Sequence, residues 1–257
     1  GIALNEKGDS DSAIDSYKKA LKIRPDFADA YNNMGIALNE KGDSDSAIDS
    51  YKKALKINPD SANAYNNMGI ALNEKGDIVE AIGSYKKALK TSPTSSETYY
   101  NIGVALKGIT LDKPISGLQE VISSIIDRKN YVRPIDISLA AISLLKFEPV
   151  MKQLFENHFE GEVRKSPEVL ISSLSEFDIL FKLMCVCPLP DLELEAIFTY
   201  IRSTLLTSVT EIKNSPVVLR FQSALALQCF TNEYIYNQSD KETLALEALE
   251  IEVGEIF

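Results

Sequence analysis

The chain spells NEKGDSDSAIDSYKKALKI twice, letter for letter, at Asn5–Ile23 and Asn39–Ile57, and a diverged copy follows at Asn73–Thr91. The offset is 34 residues. That is too short for an independent domain and long enough for one pair of antiparallel helices with its turns. One such pair cannot bury its apolar face alone. The copies must stack, and stacked helix pairs form a solenoid with a concave groove.

Positions within the period support this. In the copy over 62–95, Tyr65, Met68, Leu72, Ala81, Tyr85 and Ala88 fall at helical spacings. Gly76-Asp77 reads as the turn between the two helices, and Pro93 follows the second. The copy over 28–61 holds Tyr31, Met34, Gly35, Leu38, Gly42, Ala47, Tyr51, Ala54 and Pro59 at the same offsets. An incomplete copy over 1–27 keeps Gly1, Leu4, Gly8, Ala13, Tyr17, Ala20 and Pro25. Gly35, Gly69, Ala47 and Ala81 are small where helices are expected to cross, because a larger side chain there would force them apart.

These positions resemble the tetratricopeptide repeat family. The resemblance implies an all-α, right-handed superhelix of about three and a half units. A modified unit over 96–126 keeps the first-helix pattern at Tyr99, Ile102, Gly103, Val104 and Leu106. It then departs: Thr110 stands at the turn glycine, Ile115 at the small alanine, and Asp127 at the proline. Pro114 is expected to open its second helix over 114–126. The expected domains are therefore a solenoid over 1–126 and a second, irregular helical bundle over 127–257.

No period returns in that second part. Its amphipathic segments predict helices near 134–146, 148–158, 167–174, 176–186, 191–208, 216–236 and 240–252. Ser166-Pro167-Glu168 reads as a helix start, and Ser239 with Glu242 as a capping box. The phrase ALALQCFTNEYIY, within a stretch from about 170 to 250, resembles the helical segment that precedes a class I S-adenosylmethionine-dependent methyltransferase domain in some bacterial repeat proteins.

Charge narrows the partners. Residues 1–110 hold 14 Lys/Arg against 15 Asp/Glu, and 111–257 hold 13 against 22. A basic footprint for nucleic acid or anionic membrane is not expected from this balance. No apolar run is long enough to span a bilayer, and no leader pattern opens the sequence. Cys185, Cys187 and Cys229 lack metal-ligand or redox spacing and read as buried free thiols of a reducing, cytoplasmic compartment. The single histidine, His158, reads as a helix-end residue, and the acids Glu247, Glu250, Glu252 and Glu255 as a solvated helix face or a partner strip.

No G-x-G-x-x-G, G-x-x-x-x-G-K-[ST] or H-E-x-x-H occurs, so the sequence offers no catalytic motif, and no cofactor or metal is expected. The repeats offer binding chemistry instead. Groove-facing positions recur as Asp29/Asn63/Glu97, Asn32/Asn66/Tyr100, Asn33/Asn67/Asn101, Ile36/Ile70/Val104 and Asn39/Asn73/Lys107. Asparagine carries donors and an acceptor on one short arm, so a column of asparagines suits the N–H and C=O groups of an extended peptide. AYNNMG is similar to the asparagine-ladder motif of repeat proteins related to the sugar-transferring enzymes that act on Ser/Thr. The competing account is that these asparagines are solvated filler copied by duplication.

The expected function is a protein- or peptide-binding scaffold. The alternatives are a substrate-recruiting region of a larger methyltransferase or glycosyltransferase, or a self-assembly module joined through its open first repeat. The start within a repeat and the missing catalytic motif suggest a piece of a longer protein.

Overall fold

A computed structural model describes residues 1–128, 132–159, 166–207, 215–231 and 240–245. Their contacts divide the chain into two compact units, Gly1–Leu106 and Lys107–Phe257. Among the described residues all regular structure is helical.

The first unit is a stack of helix pairs. A short α1 (Ile2–Asn5) pairs with α2 (Ser10–Ile23), α3 (Ala28–Glu40) with α4 (Ser44–Ile57), and α5 (Ala62–Glu74) with α6 (Ile78–Thr91). A further first helix, α7 (Ser96–Leu106), packs on α6. The first helices also touch one another, α3 on α5 and α5 on α7, and so form a continuous row.

Each turn within a pair is made the same way. Gly8, Gly42 and Gly76 adopt φ of 77°, 81° and 84°, a left-handed conformation that glycine reaches without steric cost. Asp9 and Asp43 then cap α2 and α4, accepting the N–H of Ser12 and Ser46 at 3.1 Å. Those hydrogen bonds hold both carboxyls below their usual pKa. Asp77 makes no such bond at the start of α6.

The glycine of each first helix earns its place. A Cβ on Gly35 would lie 2.6 Å from the Tyr51 ring, and one on Gly69 would lie 2.5 Å from the Tyr85 ring. The small residue thus receives a tyrosine from the second helix of its own pair. Tyr51 and Tyr85 are 1% exposed, and Ala13, Ala37, Ala47, Ala71 and Ala81 are fully buried. Burial pushes both phenols well above their usual pKa, with the carboxylates nearby adding to the effect.

The second unit contains α8 (Leu118–Arg128), α9 (Pro134–Lys146), α10 (Pro149–Phe159), α11 (Pro167–Leu174), α12 (Asp178–Met184), α13 (Leu192–Thr207) and α14 (Pro216–Thr231). Phe221 of α14 is its aromatic centre, edge-on to Phe181 at 5.7 Å and to Phe198 at 6.1 Å. Buried Gln228 donates to the carbonyls of Met184 and Cys187 at 2.8 and 2.6 Å, satisfying backbone at the last residue of α12 and just past it. Lys182 bridges Asp127 and Ser123 of α8 to Asp178 of its own helix.

Three local expectations need correction. The helix expected over 114–126 runs from Leu118 to Arg128, because Gly117 takes a φ of 68° just before it and Pro114 stays outside. The turn glycine is not lost from the modified unit. Gly108, at φ 69°, turns the chain two positions before Thr110, and α7 is correspondingly shorter than α3 and α5. Cys187 is buried, and burial pushes its thiol up to about 12, whereas Cys185 is exposed. The Ser239 half of the capping box, the side chains of His158 and Cys229, and the acids from Glu247 onward lie outside the described residues.

Candidate functional site

The recurring asparagines all lie on the first helices, where α3, α5 and α7 form their row. Their side chains link one repeat to the next. Asn67 Nδ2 donates to Asn32 Oδ1 at 3.1 Å, and Asn101 Nδ2 donates to Asn66 Oδ1 at 3.1 Å. Each bond joins position 33 of a repeat to position 32 of the one before it. Asn66 is 5% exposed and also donates to Glu97 Oε1 at 3.0 Å. Asn32 has no equivalent carboxylate ahead of it and instead donates to Asn33 Oδ1 at 3.4 Å.

The sequence reading assigned these residues outward, toward a ligand. It did not anticipate that they pair with one another. The signal was available, since two adjacent columns of complementary amides at a fixed period can bond diagonally between neighbouring helices. After these bonds, Asn67 and Asn101 keep their carbonyl oxygens: among the described residues nothing donates to either. Each also retains one amide hydrogen.

Apolar groups flank the row. Ile36 and Ile70 are half-buried, while Val104 and Tyr100 are 48% and 58% exposed. Asp29 and Asn63 are exposed on the same helices. Asn39 and Asn73 lie near the far ends of α3 and α5, and Asn39 accepts a hydrogen bond from Ser44 at 3.1 Å. A second set of bonds ties the repeats together at their turns. Lys41 pairs with Asp11 of the preceding repeat, and Lys75 with Asp45 at 2.7 Å. Those hydrogen bonds raise both lysine pKa values.

The second unit has a cleft of about 460 Å³ lined by Asp127, Phe181, Lys182, Cys185, Arg220 and Leu227. Its charges are committed: Lys182 to Asp127 and Asp178, and Arg220 over the Phe181 ring at 4.6 Å. No acid–base or nucleophile–base pair is assembled there among the described residues. Among the described residues, His, Cys, Asp and Glu side chains do not gather in a group able to hold a metal, and no helix is long and apolar enough to cross a membrane.

A family model described as TPR repeat matches residues 1–42, 37–76 and 71–108, so the repeats of the first unit are tetratricopeptide repeats. No curated protein matches the chain, and the resemblance of residues 170–250 to a methyltransferase-linked segment finds no support. Among solved structures the chain is similar to that described as the crystal structure of MamA, at 19% identity and a TM-score of 0.41, covering 90% of this chain and 96% of that one. It is also similar to that described as the functional characterization of Pseudomonas aeruginosa pilF, at 21% identity and a TM-score of 0.43, covering 87% and 93%.

Proposed function

We propose that the first unit is a protein-interaction scaffold that holds an extended peptide along the row of first helices. One observation supports this most directly: Asn67 and Asn101 spend donors on their neighbours and keep their carbonyls unpartnered, beside the exposed Val104 and Tyr100. The ladder fixes the rotamers of these amides before a ligand arrives, which lowers the entropy lost on binding. Neighbouring first helices lie roughly 10 Å apart at ordinary packing distances. An extended chain advances about 3.3 Å per residue, so each repeat would receive the N–H of every third residue. Each such bond contributes about 0.5–1.5 kcal/mol net, so backbone contacts alone bind weakly. Ile36, Ile70, Val104 and Tyr100 then supply apolar selectivity, and Asp29 favours a basic neighbour.

The test selects peptides from a random library on the whole chain and then measures them against Tyr100→Ala and Val104→Ser. Both positions are exposed, so the fold should survive the changes. Binding weakened at least fivefold with unchanged helicity is expected. Unaltered affinity for every selected peptide refutes the row as the binding surface.

A further inference from the structure

The tripled phrase YKKALK, at 17–22, 51–56 and 85–90, places nine of the fourteen basic residues of 1–110 in the second halves of α2, α4 and α6. Of the acids, Asp11, Asp45 and Glu80 sit in the first turns of these helices and Asp9, Asp43 and Asp77 at their caps, while Asp15 and Asp49 lie mid-helix, ahead of the lysines. Stacking therefore gives the unit one acid-rich border and one lysine-rich border.

The two borders differ in how far they are already satisfied. On the acidic side, Asp9 and Asp43 are caps, and Asp11 and Asp45 hold Lys41 and Lys75. On the basic side, among the described residues, no carboxylate pairs with Lys53, Lys56, Lys87 or Lys90. Lys56 and Lys90 lie in the last turns of their helices, where the helix dipole favours a cation. That does not account for Lys53 and Lys87, which stand a turn earlier over the rings of Tyr31 and Tyr65, at 5.9 and 5.4 Å. Around Lys87 and Lys90 the surface closes into a cleft of about 380 Å³ with Pro59, Asp60, Tyr65 and Thr91. The 34-residue offset carries the same residue types to Pro25, Asp26, Tyr31, Lys53 and Lys56.

We propose that these lysine–tyrosine clusters form a second interaction surface, distinct from the row of first helices, and that it takes an acidic protein segment with one carboxylate per repeat. Each cluster offers two ammonium groups and a tyrosine ring against a single aspartate, a net charge suited to one carboxylate. The interposed Asp26 and Asp60 break the basic border into separate sites, which opposes a continuous phosphate track. A second copy of this chain is a poorer occupant, since the acids it could offer from its own turns are already bonded. Clusters on separate repeats call for carboxylates spaced along an extended chain, which advances about 3.3 Å per residue.

The probe is a labelled 18-residue peptide of repeating Glu-Gly-Ser, titrated against the whole chain at low ionic strength by fluorescence anisotropy. Saturable binding that weakens with salt is expected. The variant K53Q/K56Q/K87Q/K90Q should bind at least tenfold more weakly. The variant K7Q/K113Q/K152Q/K241Q, which removes the same charge from other exposed lysines, should bind within twofold of the parent. Carbodiimide coupling of the probe to the unmutated protein, mapped by mass spectrometry, should place adducts on Lys53, Lys56, Lys87 and Lys90. Absence of binding, equal losses in the two variants, adducts spread over the other lysines, or tighter binding of a 20-base-pair DNA duplex through the same four lysines would each overturn the proposal.

Discussion

Equivalent asparagines at 33, 67 and 101 should respond differently to the same change, because only Asn67 and Asn101 bond an asparagine of the preceding repeat. Asn→Ala raises helix propensity by at most about 0.7 kcal/mol, and it does so equally at three equivalent helical sites. Differences among the three variants therefore report the ladder. Asn101→Ala orphans Asn66 Oδ1, whose residue is 5% exposed, and an unsatisfied buried acceptor costs about 1–3 kcal/mol. Asn67→Ala orphans Asn32 Oδ1, which is half-buried and can recover water, so the loss should be about 0.5–1.5 kcal/mol. Asn33→Ala removes only a 3.4 Å contact from Asn32 and should be neutral or slightly stabilising. Stacked repeats need not unfold in one step, so the decisive quantity is a double-mutant cycle rather than a single midpoint. Urea unfolding of Asn66→Ala, Asn101→Ala and the double variant, followed by far-UV circular dichroism, should give a coupling of about 0.5–1.5 kcal/mol. A coupling below about 0.3 kcal/mol, or an Asn33→Ala loss equal to that of Asn101→Ala, would sink the ladder.

Gly69→Ala should destabilise the chain by about 1–3 kcal/mol, because its new methyl meets the Tyr85 ring at 2.5 Å, and Tyr85→Leu should relieve part of that loss in urea titrations. Alkaline pH should weaken the fold through Tyr51 and Tyr85. The folded phenols keep their protons above the ordinary value of 10.0, so this contribution is intact below pH 10.0 and falls as pH rises toward the folded-state values. The fall is about 1.4 kcal/mol per pH unit for each phenol, and Tyr85→Phe should flatten the slope by one such increment; an unchanged slope would count against the buried phenol. Alkylation mapped by mass spectrometry should modify Cys185 in the native protein and leave Cys187 until it unfolds, since Cys185 is exposed and the Cys187 thiol is pushed up to about 12. Equal rates at the two thiols would contradict that placement.

The repeat architecture was legible because each requirement appears three times at one offset. Gly8, Gly42 and Gly76 announce the turn, and Ala47 and Ala81 the crossing. Periodicity also located the helices of the second unit, including α14, where Val218 and Phe221 bury one helical face. The modified unit was harder. Gly108 and Gly117 were overlooked because they fall off the 34-residue register, and local backbone freedom, not register, decides where a turn forms. The asparagine bonds were missed for another reason. Residue type shows what an amide can bond, and only packing shows that a neighbouring repeat reaches it before a ligand does.

Duplication explains why so many of these contacts come in matched sets. Asn67–Asn32 and Asn101–Asn66 span 35 residues, and Lys41–Asp11 and Lys75–Asp45 span 30. Each joins one repeat to the next, so a single copying event supplies both partners, one facing back and one facing onward. The same logic dictates how a series must end. A last repeat has no successor, and every onward-facing partner retained there would be an unused polar group. At the position after Asn32 and Asn66 the chain has Tyr100, and after Asp11 and Asp45 it has Val79; after Lys41 and Lys75 it has Ile109. The lysine and the aspartate of the would-be third ion pair are thus replaced together, so neither is left seeking the other. Tyr100 ends the column of acceptors and stands 58% exposed, while Asn101, which faces back, is kept and bonded. The amide ladder therefore ends at the fourth first helix with its back-facing asparagine bonded, and the ion-pair series ends with both of its partners replaced.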